Sequence, residues 1–210
     1  MAKNNFYAIW LSVLIIGVFV LQVSLPGITE NLVLNSRAIN NFEIYRFVTA
    51  IFLHASLSHL VFNLFALILF GLILESIIKS KRFLLVFFLS GIIANIVSVN
   101  FYSSSLGASG AIMGIIGALA IIRPFMMVWA FGIIMPMSIA AILWILGDIL
   151  GLFMPSNIGN IAHLSGVVVG ILFGLIFRLS KKYKTNKKTK TRLNIPEDYM
   201  NQWENAYIKR

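Results

Sequence analysis

Residues 161–179 read IAHLSGVVVGILFGLIFRL, and this stretch decides the fold. Each helical residue rises ~1.5 Å, so a run of this length matches a hydrocarbon core ~30 Å thick. Its single charge, Arg178, stands at the far end, where a basic tail begins. Gly166, Gly170 and Gly174 recur every four residues along one stripe, a small-residue face that lets two membrane helices pack closely. His163 lies one turn above Gly166 on nearly the same side. The stretch therefore predicts a membrane helix with a close-packing face and a polar group near one end.

The rest of the chain has the same character. Of its 210 residues 59% are apolar and 11% charged, and the mean hydropathy is +0.90. Soluble domains hold roughly 25% charged residues, so this chain has too little charge to cover a water-facing surface. A soluble globular protein and a disordered one are both excluded. Cysteine is absent, which removes disulfides, thiolate metal sites and a cysteine nucleophile.

Six spans are expected: Phe6–Leu25, His59–Ile78, Phe83–Phe101, Gly107–Ile122, Phe125–Phe153 and Ile161–Leu179. The first is longer in its apolar run than a signal peptide and reads as a retained helix. Between the first two spans, residues 26–58 are too polar to cross, with Glu30, Arg37, Glu43 and Arg46, and too apolar for a free loop. They read as an interfacial or re-entrant outer segment. The fold class is thus an all-α polytopic six-helix membrane bundle over residues 1–179, followed by a basic tail over 180–210. With the N-terminus inside, inside segments carry fifteen lysines and arginines and outside segments only Arg37 and Arg46. The positive-inside rule then makes both termini cytoplasmic. The tail's basic residues fit that retention, or binding of anionic lipid. With no recognised module beside them, nucleic acid is not an expected partner.

Polar groups inside a membrane are costly and usually functional. Those within or bordering the spans are His54, His59, Asn63, Glu75, Asn95, Ser109, Asp148 and His163. His59, Ser109 and His163 all stand near the outer ends of their helices, at one depth. Ser109 opens a span within Gly107-Ala108-Ser109-Gly110-Ala111-Ile112-Met113-Gly114. Backbone N–H groups at a helix start can stabilise an oxyanion; the alternative is a plain N-cap serine. Gly110 and Gly114 offer a stripe to match Gly166 and Gly170, and packing the two would bring His163 within reach of Ser109. Nucleophile and base would then stand together; the alternative for His163 is a hydrogen bond between helices. His59 and Asn63, four apart on one face, can line an oxyanion hole or serve as interhelical glue. His54 reads as ordering the outer segment, Glu75 as structural and Asn95 as an interhelical hydrogen bond.

Other chemistries lack their residues. Asp148 beside Gly147 suggests an intramembrane aspartyl site, but that needs two carboxylates sharing a proton, and the other aspartate, Asp198, is in the tail. No His-Glu-x-x-His zinc motif is present, and three histidines without a convergent acid make a weak metal set. No metal and no cofactor is expected. A transporter would need polar groups through the full depth, whereas these cluster at one level.

In order, Tyr45-Arg46, His54, His59-x-x-x-Asn63, Glu75, Gly107-Ala108-Ser109-Gly110 and Ala162-His163-x-x-Gly166-x-x-x-Gly170 resemble the rhomboid family of intramembrane serine proteases. The family often has Trp-Arg where this chain has Tyr45-Arg46. The resemblance implies a dyad of Ser109 as nucleophile and His163 as base, with no third carboxylate. It implies an oxyanion hole from His59, Asn63 and the Ser109 backbone, and an outer loop anchored by Arg46. Substrates would be transmembrane segments of single-pass proteins cut near the outer face, with Trp144 at a lateral gate. A compact six-span form suggests a prokaryotic plasma membrane. A non-catalytic rhomboid-like binding protein is the rival, though such relatives typically lack the serine or the histidine. Without an aspartate, the imidazole would be oriented by packing and other hydrogen bonds, and slow turnover is expected.

Overall fold

The computed structural model describes residues 6–154, 158–179 and 197–198; the rest of the basic tail expected over 180–210 lies outside the described residues. Every element considered below belongs to one unit, Met1–Leu179.

Four helices are long and apolar enough to cross a membrane: α1 (Tyr7–Ser24), α5 (Leu57–Ile78), α6 (Ser80–Ser98) and α9 (Asn160–Leu179). Two shorter apolar helices, α7 (Ser109–Ile122) and α8 (Met137–Gly151), complete a helical membrane bundle. Their outward faces carry bare apolar side chains such as Trp10, Val20, Phe62, Ile142, Val168 and Leu172, as lipid-facing helices do.

One expectation changes. The stretch Phe125–Phe153 is not a single span. It first forms a hairpin, β3 (Met127–Ala130) with β4 (Ile133–Pro136), and only then the helix α8. The cause is local. Pro124 and Pro136 interrupt a helix, and Phe131 and Gly132 both take positive φ, 53° and 81°, as a tight hairpin turn requires.

The outer segment folds as short pieces: α2 (Ile28–Leu32), β1 (Leu34–Asn35), α3 (Arg37–Asn40), α4 (Arg46–Thr49) and a 3-10 turn over Ala50–Phe52. Strand β1 pairs antiparallel with β2 (Ser104–Ser105) in the connection before α7. Arg46 is buried, and its guanidinium donates to the carbonyls of Glu30 (3.0 Å) and Val33 (2.7 Å) and pairs with Glu43. That pairing holds the Glu43 carboxyl below its ordinary range. Asn95 of α6 donates to the Phe47 carbonyl of α4 at 2.9 Å, tying the segment to the bundle.

At the opposite end of α5, the Glu75 carboxylate accepts the backbone N–H groups of Tyr7 (2.9 Å) and Ala8 (3.0 Å) and the Ser80 hydroxyl (2.6 Å). A carboxylate at a helix N-terminus satisfies orphan donors and complements the dipole. Glu75 therefore fixes α1 against α5 and α6.

Helix α7 runs through the centre, with ten of its fourteen residues buried. Glycines set its distance from α9. A Cβ at Gly166 would lie 2.0 Å from the Gly110 carbonyl oxygen, and one at Gly170 would lie 1.9 Å from that of Gly114. Backbone meets backbone there, so no side chain fits between the two helices.

Candidate active site

Ser109 is the first residue of α7. Ala108 occupies the N-cap position and no side chain caps the helix, so Ser109 is not the capping serine that its position in the sequence also allowed. Its hydroxyl is left at the mouth of a helix whose first N–H groups are free to bind an anion. Gly107 sets the approach to this turn. Its φ is +122°, a conformation costly for any residue with a Cβ, and its N–H donates to the Ala50 carbonyl at 2.9 Å.

A Cβ at Gly107 would lie 2.8 Å from His59 Cε1, 3.0 Å from His59 Nε2 and 3.8 Å from Ser109 Oγ. The missing side chain is thus what lets the His59 ring come up beside the serine. His59 stands in the first turn of α5, where its N–H donates to the N-cap Ser56 Oγ at 3.1 Å. One turn on, Asn63 Nδ2 donates to the His59 carbonyl at 2.8 Å, while its Oδ1 is buried without a partner.

His163 lies in the first turn of α9. The α7–α9 contact brings it to the serine side, because the backbone of its neighbour Ala162 passes Gly110, the residue after Ser109; a Cβ there would lie 3.6 Å from the Ala162 carbonyl oxygen. Tyr102 fixes the start of α9, its hydroxyl accepting from the Ile161 N–H at 3.1 Å.

Ser109, His163, His59 and Asn63 line one cavity of about 1500 Å³, together with Tyr102, Trp144 and Asp148. Among the described residues no hydrogen bond joins Ser109 Oγ to the His163 ring. Bonds of this kind are commonly long in unliganded sites and tighten around substrate.

Asn95 and Gly110 also line this cavity, whereas Arg46, Glu75 and His54 are not among its lining residues. Arg46 holds the outer segment and Glu75 the far end of α5. His54 lies behind His59, the ring centres 5.0 Å apart and edge to face. Its N–H donates to Gln22 Oε1 of α1 at 3.0 Å. Burial, and secondarily the nearby His59, pushes the His54 imidazole down to about 4, so it is neutral at ordinary pH.

The largest departure concerns Asp148. The resemblance implied an imidazole with no carboxylate partner. Instead, Asp148 Oδ1 lies 2.9 Å from His163 Nδ1. Asp148 is in the last turn of α8 and His163 in the first turn of α9, and the ends of these helices meet closely: a Cβ at Gly151 would lie 2.5 Å from Asn160 Nδ2. The sequence carried the signal, since an acid inside a membrane helix needs a partner. That partner need not be a second aspartate: here it is the histidine fifteen residues on.

The chain is similar to known proteins over most of its length. The profile of the Rhomboid domain matches residues 41–180. Rhomboid-like protease 3 of Toxoplasma gondii is 42% identical over 85 residues, 40% of this chain and 32% of its own length. RHOMBOID-like protein 6, mitochondrial, of Arabidopsis thaliana is 30% identical over 167 residues, 73% of this chain and 54% of its own length. Rhomboid protease GluP of Bacillus subtilis is 33% identical over 192 residues, 85% of this chain and 36% of its own length. The chain spans about a third to about half of these relatives, which come from an apicomplexan, a plant and a bacterium. Because the matched stretch runs from the outer segment through α9 and contains every polar side chain of the cavity, this chain belongs to the rhomboid family.

Proposed function

We propose that the chain is a serine endopeptidase that cuts transmembrane segments of single-pass membrane proteins near the outer membrane face. The observation that carries the proposal is the lining of one cavity by Ser109, at the start of α7, and by His163 of α9, two helices locked together by backbone contact.

In this reading the His163 ring accepts the Ser109 hydroxyl proton as Oγ attacks the scissile carbonyl carbon. The carbonyl oxygen becomes an oxyanion, held by the Ser109 N–H and by the side chains of His59 and Asn63. When the C–N bond breaks, the proton passes from His163 to the leaving amine, and an acyl ester remains on Ser109. Water, deprotonated by the same imidazole, then hydrolyses the ester and restores the serine. Hydrolysis needs water, which the open outer end of the cavity supplies.

Substrate entry from the side would pass between α5 and α8. There Trp144 packs edge to face against Phe70 (5.6 Å between ring centres) and at a tilt of 40° against Phe131 at the hairpin tip (4.9 Å). In this reading Trp144, which lines the cavity with Phe131, belongs to the lateral gate. Both termini on the cytoplasmic side is the arrangement that the lysine and arginine distribution supports.

The test is cleavage of a single-pass transmembrane substrate by the purified full chain in detergent. Ser109→Ala and His163→Ala are each expected to lower the rate by at least about a thousand-fold. Equal cleavage by wild type and variants would overturn the assignment.

A further inference from the structure

The geometry points to Asp148 as a positioning residue for the His163 imidazole, so that the site works as a Ser-His-Asp triad and not as a bare dyad. This inference rests on the reading of Ser109 and His163 as nucleophile and base.

Two acids lie within the membrane helices of the described chain, Glu75 and Asp148, and both are buried. Burying an ionised carboxylate is expensive unless it is paired. Glu75 is accounted for by the α1 amides and Ser80. The partner of Asp148 is the His163 ring, at 2.9 Å, with side-chain exposures of 9% and 17%. Water therefore competes little for this bond.

The chemistry follows from which nitrogen is occupied. A neutral imidazole carries one N–H and one lone pair. A carboxylate accepting from Nδ1 places the proton there and leaves the lone pair on Nε2, the nitrogen a base must use toward a serine. When His163 takes the serine proton it becomes an imidazolium, and the Asp148 side chain at Nδ1 stabilises that charge. The other titratable groups lining the cavity are His59 and Tyr102. In this structure neither of them bonds to the His163 ring, which leaves Asp148 as the group that selects the tautomer.

The experiment uses the full chain with Asp148→Asn, Asp148→Ala and Asp148→Glu, beside Ser109→Ala and His163→Ala. Cleavage of a transmembrane substrate gives kcat and KM, and thermal unfolding in detergent reports the fold. The imidazole tautomers are read from 15N-histidine spectra, which is tractable because the chain has three histidines. Asp148→Asn is expected to lower kcat about a hundred- to ten-thousand-fold with little change in KM. It should also move the His163 proton from Nδ1 to Nε2, since an asparagine amide can donate to Nδ1. Asp148→Glu should restore the tautomer and part of the rate.

If Ser109→Ala and His163→Ala are dead but Asp148→Asn and Asp148→Ala keep kcat within two-fold, the positioning role is overturned and the dyad stands. If Ser109→Ala still cuts, the dyad reading itself is wrong. Should Asp148→Asn unfold, a folded Asp148→Glu that restores neither rate nor tautomer overturns the inference.

Discussion

Gly107 shows how much one absent side chain decides. Its φ of +122° and the 2.8 Å between a would-be Cβ and the His59 ring are separate demands. The first taxes the backbone of any other residue, about 1–3 kcal/mol. The second pushes the proposed oxyanion donor away from the serine. Gly107→Ala is therefore expected to lower kcat at least ten-fold while helix content, read by circular dichroism, stays unchanged; a variant as active as wild type would show that His59 is not needed where it stands. His163 makes the same point from the other side. Its role follows from its neighbours, Asp148 above all.

At the scale of elements, the α7–α9 contact brings Ser109 and His163, the proposed nucleophile and base, to one cavity. The contact is backbone on backbone at Gly166 and Gly170, so an added methyl cannot be absorbed by a rotamer change and the helices must separate. Gly170→Ala is expected to destabilise the fold by roughly 1–3 kcal/mol or more and to reduce activity, even though residue 170 is outside the cavity. Gly17→Ala in α1 is the matched control, because nothing lies within 4 Å of a Cβ there. Thermal unfolding of the two variants in detergent checks this, and equal midpoints would mean that α7 and α9 have slack. The outer segment is held differently, by hydrogen bonds from buried Arg46 to carbonyls of the chain around it. A lysine could not reproduce that fork of donors.

For the whole molecule, the uneven charge predicts an orientation. Fifteen of seventeen lysines and arginines fall on segments assigned inside. The chain lacks cysteine, so single introduced thiols report topology without background. Ser103→Cys, in the connection before α7, is expected to react with a membrane-impermeant maleimide from outside intact cells, and Lys81→Cys at the start of α6 is not. The reverse pattern would put the serine on the cytoplasmic side and contradict the proposed cleavage near the outer face.

How far the sequence could be read depended on the range of the forces involved. Helix α9 and the glycine stripes were legible, because apolar length and four-residue spacing are properties of a single helix in lipid. That the chain is not a soluble domain followed from composition, since too little charge leaves no water-facing surface, and the length of the apolar runs made it helical. The hairpin at 127–136 was missed because an apolar run looks alike as helix or strand, and two prolines and one glycine carried the difference. Glu75 could be judged structural, but its partners on α1, some sixty-seven residues away, could not be named. Asp148 was the clearest case. Its type and burial cost were visible in the chain, but its partner was chosen by the junction of α8 and α9, since a hydrogen bond of 2.9 Å depends on where two helices end in space and not on their separation in sequence.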